Sequence, residues 1–175
     1  CIAVGQMLGI LEASGFGGLV DGQGALDAEG VHRFTEAGRL AYADRDRHVA
    51  DTDFVALPRG LLSRDYLAAR AALIGDRSIG IAPAGRPAAA ASTYPEGGTS
   101  HVSVVDGDGN AVALTTSIEF AFGSQQMVAG FLLNNQLTDF SFLPHGPQGA
   151  IANRAGPGRR PRSSMSPTIV LEDGK

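Results

Sequence analysis

The spacing of apolar residues changes once along this chain, at residue 99, and that change decides most of what the chain can fold into. Before it, apolar side chains recur at helical intervals. After it they alternate with polar ones, as on a β-strand. Between the two regimes lies a proline-, glycine- and alanine-rich stretch, 82–98, ending in Gly97-Gly98. Helices followed by antiparallel strands is the order of an α+β fold, or of a helix layer packed on a sheet. The 175 residues suffice for one domain with a core.

The helical half predicts three helices. Residues 2–13 place Ile2, Val4, Met7, Leu8, Ile10 and Leu11 on overlapping faces, which predicts a mostly buried helix ended by the glycines at 15, 17 and 18. A second helix should begin near Asp27 and reach about Val49. Val31, Phe34, Gly38, Ala41 and Tyr42 would form its inner face, and Arg39, Arg45, Asp46 and Arg47 its outer one. Ser63 should cap a third helix through Ile74, with Leu62, Tyr66, Leu67 and Ala71 facing inward. Residues 75–98 read as a linker or exposed loop. In the second half, strands 99–106 and 111–118 flank the turn Gly107-Asp108-Gly109-Asn110 and predict a hairpin. Further strands are expected at Val128–Asn134 and Thr168–Leu171.

Charge and composition exclude several classes. The net charge of −4 offers no basic field for nucleic acid or an anionic membrane, and Arg159-Arg160-Pro161-Arg162 is short and broken by proline. No apolar run approaches the ~20 residues needed to span a bilayer. Twenty-four glycines suit tight turns and close packing rather than disorder, because 43% of the residues are hydrophobic. Cys1, the one cysteine, permits no internal disulfide. The uncapped helical start and the turn-like Glu172-Asp173-Gly174-Lys175 lead us to expect the central part of a longer protein.

Metal and phosphate chemistry find little support. Asp106-Gly107-Asp108-Gly109-Asn110 resembles the start of a calcium loop, yet Ala111 stands where the loop needs glycine and Ser117 where it needs a bidentate glutamate. His32, His48, His101 and His145 share no ligand spacing. There is no phosphate-binding glycine loop and no nucleophile elbow. Thr99 is more informative. A threonine heading a strand after a flexible glycine pair is where a self-cleaving precursor would place its new N-terminus, since such a residue supplies both a nucleophile and, through its freed α-amino group, a base. Threonine is also an ordinary strand starter, so its neighbours decide. The hairpin brings Ser117 beside Thr99, and Glu119 lies one strand period further on. Asn134, Asn135, Gln136 and Asp139 follow the next apolar segment, and Ser163-Ser164 precede the last. Together these offer carboxylates for a cationic amine, and hydroxyls and amides for a carboxylate or amide oxygen.

Four ordered blocks carry a family resemblance: Gly98-Thr99-Ser100-His101-Val102-Ser103-Val104-Val105-Asp106, Asp108 through Ser117, Leu132 through Phe140, and Arg160 through Val170. With Ala41-Tyr42-Ala43-Asp44-Arg45 in the helical half, the chain resembles the γ-glutamyltranspeptidases, N-terminal-nucleophile hydrolases of αββα sandwich architecture. The resemblance implies a precursor cut between Gly98 and Thr99. Residues 1–98 would be the end of a large subunit and 99–175 the start of a small one, the two forming a heterodimer with the rest of the precursor. It implies Thr99 as nucleophile, positioned by Ser117, with Glu119, Gln136 and Asp139 around the α-amino group of a γ-glutamyl donor. Ser163 and Ser164 would hold its α-carboxylate. Water or an amino acid would accept the acyl group, no cofactor or metal would be needed, and the protein would be periplasmic or extracellular.

The chain departs from the family pattern in places. Ser117 stands where threonine is frequent, Glu119 where asparagine is common, and 141–158 lacks a tyrosine for a lid. The family's oxyanion-hole glycines and carboxylate-binding arginine would lie outside these residues, so the 175 residues by themselves should be inactive. Two other readings fit the same residues: an acylase using Thr99 on another side chain, such as a glutaryl-β-lactam, and an uncleaved homologue serving as a scaffold or binding module.

Overall fold

The structure, a computed structural model, describes residues 2–86, 99–147 and 149–172. Its helices are α1 (Ile2–Ala13), α2 (Ala28–His48) and α3 (Arg64–Ala71), and all its strands belong to antiparallel hairpins. Strands β1 (Ser100–Val105) and β2 (Ala111–Thr116) form the longest; β3 (Met127–Val128) pairs with β4 (Phe131–Leu132), and β5 (His145–Gly146) with β6 (Gly149–Ala150). The expected α+β order is present.

Asp27 starts α2 by accepting the Gly30 amide at 2.7 Å, which satisfies a donor that the first helical turn leaves open. Ser63 precedes α3 but caps nothing with its side chain; its hydroxyl donates to the Gly60 carbonyl instead. The three helices meet in a core of Ile10, Leu11, Ala37, Leu40, Ala41, Leu67 and Ala71. Leu40 is fully buried there. Replacing it with alanine should cost about 2–5 kcal/mol, the lost transfer energy plus a cavity that the helices cannot fully close. A urea midpoint unchanged from wild type would place the core elsewhere.

The apolar faces differ from those the periodicity predicts. In α1, Ala3, Gln6, Ile10 and Leu11 are buried while Leu8 and Val4 reach solvent. In α2, Val31, Phe34 and Tyr42 are half-exposed, whereas Arg45 (1% exposed) and Asp46 (8%) are buried. On α3's flank Leu62 is exposed. Buried polar pairing is the reason. Asp44 receives Gln6 Nε2 at 3.0 Å, the Tyr66 hydroxyl at 2.8 Å and the Gly85 amide at 2.6 Å, and pairs with Arg70 at 3.1 Å. A fully buried carboxylate is tolerable only when its oxygens are occupied in this way.

The expected linker is a packed strap over 75–86. Ile79 and Ala82 lie against the core. Glu36 accepts the Ile79 amide at 2.8 Å and the Ser78 hydroxyl at 2.9 Å, and Arg70 donates to the Pro83 carbonyl at 2.8 Å. Residues 87–98, including Gly98, lie outside the described residues.

The β1–β2 hairpin forms as predicted, in the register Ser100↔Thr116 to Val105↔Ala111. Asp106 accepts the amides of Asp108 and Asn110 at 2.9 Å each and Asn110 Nδ2 at 2.8 Å, so the carboxylate that suggested a calcium ligand braces the turn. Those hydrogen bonds, led by the Asn110 side chain, hold it below the usual aspartate range. The strand expected at Val128–Asn134 is instead a tight hairpin, because Ala129 (φ 51°) and Gly130 (φ 84°) adopt the left-handed pair of a two-residue turn. Thr168–Leu171 forms no strand among the described residues, so the expected last strand is absent there.

Candidate active site

Extending the β1–β2 register by one pair sets Thr99 opposite Ser117. The Thr99 hydroxyl donates to Ser117 Oγ at 3.2 Å, and the Glu119 amide donates to the same oxygen at 2.9 Å. Ser117 is thus held in place from behind while it faces Thr99. Two pairs along the ladder, His101 Nδ1 lies 2.7 Å from Thr115 Oγ1 and its Nε2 3.1 Å from Ser103 Oγ.

Beyond Ser117 the chain turns sharply. Glu119 takes φ 74°, a left-handed conformation that costs a non-glycine residue about 1–3 kcal/mol and that clusters at functional sites. Two contacts enforce it: the Phe120 amide donates to Asn135 Oδ1 at 3.0 Å, and the Asn135 amide to the Ile118 carbonyl at 3.3 Å. Gly123 lets this loop press on the next one, since a Cβ there would sit 2.1 Å from the Leu133 carbonyl oxygen. Asn134 Oδ1 then accepts the Gln136 amide at 3.0 Å, at the start of the 3-10 turn Gln136–Asp139.

The result is an open cleft of about 290 Å³. Thr99, Ser117, Glu119, Gln136, Asp139, Ser163 and Ser164, the side chains singled out from the sequence, all line it. Tyr42, Thr115, Met165 and Ser166 complete its wall. Sequence reasoning missed these four. Helical spacing puts Tyr42 on the inner face of α2, and Thr115 precedes Ser117 by one strand period, a signal that could have found it. Gly98 lies outside the described residues.

Two features give the cleft polarity. At one side, the carboxyl of Asp139 meets that of Glu119, which is only 7% exposed. Burial first, then the charge and hydrogen bond of Glu119, push Asp139 up to about 6, against the pull of Arg45 and Arg162. At the other side, Ser163 Oγ accepts the Met165 amide at 3.2 Å. Ser164 Oγ is buried with no hydrogen-bond partner among the described residues. A buried hydroxyl left open beside a cleft is ready for a ligand acceptor.

The acid pair has a pH signature. Above pH 6 Asp139 is anionic and draws a cation; below it Asp139 is neutral. An ammonium-bearing ligand should therefore bind more tightly as pH rises through about 6. Calorimetric titration across that range checks this, and a flat affinity would remove Asp139 as a cation site. Stability moves the other way: the fold holds this proton more tightly than the unfolded chain, so the group's contribution is lost as pH rises through the same value.

The loop bearing the serines is anchored from outside the cleft. Arg160 grips Asp51 at 2.7 Å and Asp53 at 2.5 Å, and the hydrogen bonds from Arg160 hold the Asp51 carboxyl well below the usual range. Among the described residues no helix is long and apolar enough to cross a membrane, and no group of histidine, cysteine and acidic side chains is arranged to hold a metal ion.

The family model described as Gamma-glutamyltranspeptidase matches residues 1–175. The "Glutathione hydrolase proenzyme" of Pseudomonas sp. (strain A14) is 44% identical over 156 residues, covering 85% of this chain and 27% of that protein. The protein of the same name from Escherichia coli (strain K12) is 41% identical over 182 aligned positions, covering 99% of this chain and 30% of its own length. This chain therefore spans about three tenths of these curated relatives. Among solved structures, a T380A mutant of Helicobacter pylori γ-glutamyltranspeptidase is 48% identical, covering 43% of this chain and 44% of that one, with a TM-score of 0.37.

Proposed function

The chain belongs to the γ-glutamyltranspeptidase family, and on that premise we propose that it carries the nucleophile and much of the donor site of a self-cleaving glutathione hydrolase-like proenzyme. The observation that best supports this is the single cleft in which the Thr99–Ser117 hydroxyl pair, the Glu119–Asp139 carboxyls and the Ser163–Ser164 loop converge.

In this reading the Thr99 hydroxyl attacks the Gly98 carbonyl, the peptide becomes an ester by an N→O shift, and water cleaves it. Residues 1–98 then close a large subunit and 99–175 open a small one. The freed α-amino group of Thr99, with a reference pKa of roughly 7.7–8.0, is partly neutral near pH 7 and takes the hydroxyl proton. Thr99 attacks the γ-carbonyl of the donor, the amine leaves with that proton, and water or an amino acid resolves the acyl-enzyme. Ser117 holds the nucleophile's orientation. Asp139 and Glu119 bind the donor's ammonium, Gln136 adds an amide beside them, and Ser163 and Ser164 hold its carboxylate. The two subunits remain together as a heterodimer with the remaining parts of the precursor, in the periplasm or outside the cell.

The full-length precursor tests the reading directly. Mass spectrometry should find two pieces broken between Gly98 and Thr99, and the cleaved protein should release nitroaniline from γ-glutamyl-p-nitroanilide. A precursor that stays intact, or a cleaved protein that turns over only the glutaryl anilide, overturns it.

A further inference from the structure

The two ends of the proposed head-group site sit on different segments: Asp139 closes a 3-10 turn, while Ser163 and Ser164 lie in an irregular loop. Neither segment belongs to a large sheet that would fix their separation. The Asn153 side chain spans the gap. Asn153, 3% exposed, donates Nδ2 to the Asp139 carbonyl at 2.6 Å and accepts the Arg162 amide on Oδ1 at 3.2 Å. Its own carbonyl accepts the Ser141 amide at 2.9 Å, so it grips the acidic segment on both sides of Phe140.

Arg162 carries the same restraint to the helical layer. Its Nη1 donates to the Asp46 carbonyl at 2.8 Å, and its Nη2 lies 2.9 Å from Asp46 Oδ1, which Arg45 Nη1 also meets at 3.0 Å. All three side chains are buried. Burial pushes Asp46 up and Arg162 down from their ordinary values, and each opposes the other's shift by its charge. A buried charge with a partner removed is costly, so this clasp is resistant to opening.

We propose that Asn153 is a positioning residue for donor recognition: its amide sets the distance between Asp139 and the Ser163–Ser164 loop, and the Arg162–Asp46 clasp fixes that assembly to α2. The proposal rests on the function proposed above. The site needs one donor and one acceptor at amide spacing. Aspartate keeps the acceptor for the Arg162 amide but loses the donor to the Asp139 carbonyl, and leucine supplies neither. Thr99 and Ser117 face each other through the register of the β1–β2 hairpin, so self-cleavage should survive when donor recognition does not.

The test uses the full-length precursor with Asn153→Asp and, to separate charge from geometry, Asn153→Leu. Self-cleavage, read by mass, reports an intact Thr99 centre. In the cleaved variants KM for γ-glutamyl-p-nitroanilide should rise about tenfold while kcat stays within about twofold, the pattern of a displaced binding group. The preference for the γ-glutamyl over the glutaryl anilide should fall by a similar factor. A general loss of stability would move neither ratio. Unchanged KM and preference in a cleaved variant overturn the proposal, and so does failure of both variants to self-cleave, which would make Asn153 a general folding residue. If the wild type itself does not turn over the γ-glutamyl anilide, the functional reading has failed and the proposal falls with it.

Discussion

Thr99→Ala in the full-length precursor leaves the chain uncut and lowers γ-glutamyl anilide turnover by more than about 10³-fold, the scale of effect when a catalytic nucleophile is removed. The loss is twofold in origin. Alanine has no hydroxyl to attack the Gly98 carbonyl, so the α-amino base is never freed. Even with that base supplied by coexpressing the two pieces separately, no acyl-enzyme forms. Thr99→Ser separates geometry from chemistry. It keeps the hydroxyl that faces Ser117 at 3.2 Å but loses the β-methyl that restricts χ1, so cleavage persists and slows. Ser117→Ala leaves the nucleophile in place without its hydrogen-bond partner, and should fall between these extremes. Full cleavage and turnover by Thr99→Ala would end the case for Thr99 as nucleophile.

The Thr99–Ser117 pairing was legible in the sequence because it is local. A hairpin is fixed by its turn residues and by alternation, and Asp106 with Gly107-Asp108-Gly109-Asn110 supplies both signals. The cap at Asp27 was legible for the same reason. The gathering of Glu119, Asp139 and the serine pair around Thr99 was reached through the resemblance, since no local rule brings residues 119, 139 and 163 together. What escaped was long-range pairing. Arg45 and Asp46 read as an outer face because charge on a helix is ordinarily solvated, yet Asp46 is buried by a partner 116 residues away in Arg162. Helical periodicity likewise places Tyr42 on the inner face, yet it lines the cleft. The strand expected through Ala129 and Gly130 failed for a different reason. Its apolar run hides a turn that only backbone conformation reveals.

Asp139→Asn tests the head-group site most sharply, because it removes a charge without changing shape. The Asp139 carbonyl keeps its bond from Asn153, so the 3-10 turn should stay in place and the Thr99 centre should still self-cleave. The ammonium of the donor loses its closest anion. Hydrogen bonds to charged groups contribute about 1.5–3 kcal/mol, which corresponds to roughly 10- to 150-fold in affinity at about 1.4 kcal/mol per factor of ten. KM for the γ-glutamyl anilide should rise on that scale, while the glutaryl anilide, which has no ammonium, should be used as well as before or better. The substitution also removes the group that burial and Glu119 push up to about 6. The limb of donor affinity that rises through pH 6 should therefore disappear, leaving Glu119 as the one carboxylate facing the amine. Glu119→Gln should produce the complementary change: Asp139, freed of a neighbouring charge and hydrogen bond that raise it, ionises at lower pH, so the limb shifts toward acid rather than vanishing. Should the limb persist unshifted in both variants, with KM within twofold of wild type, the amine is bound elsewhere and the acid pair has another role.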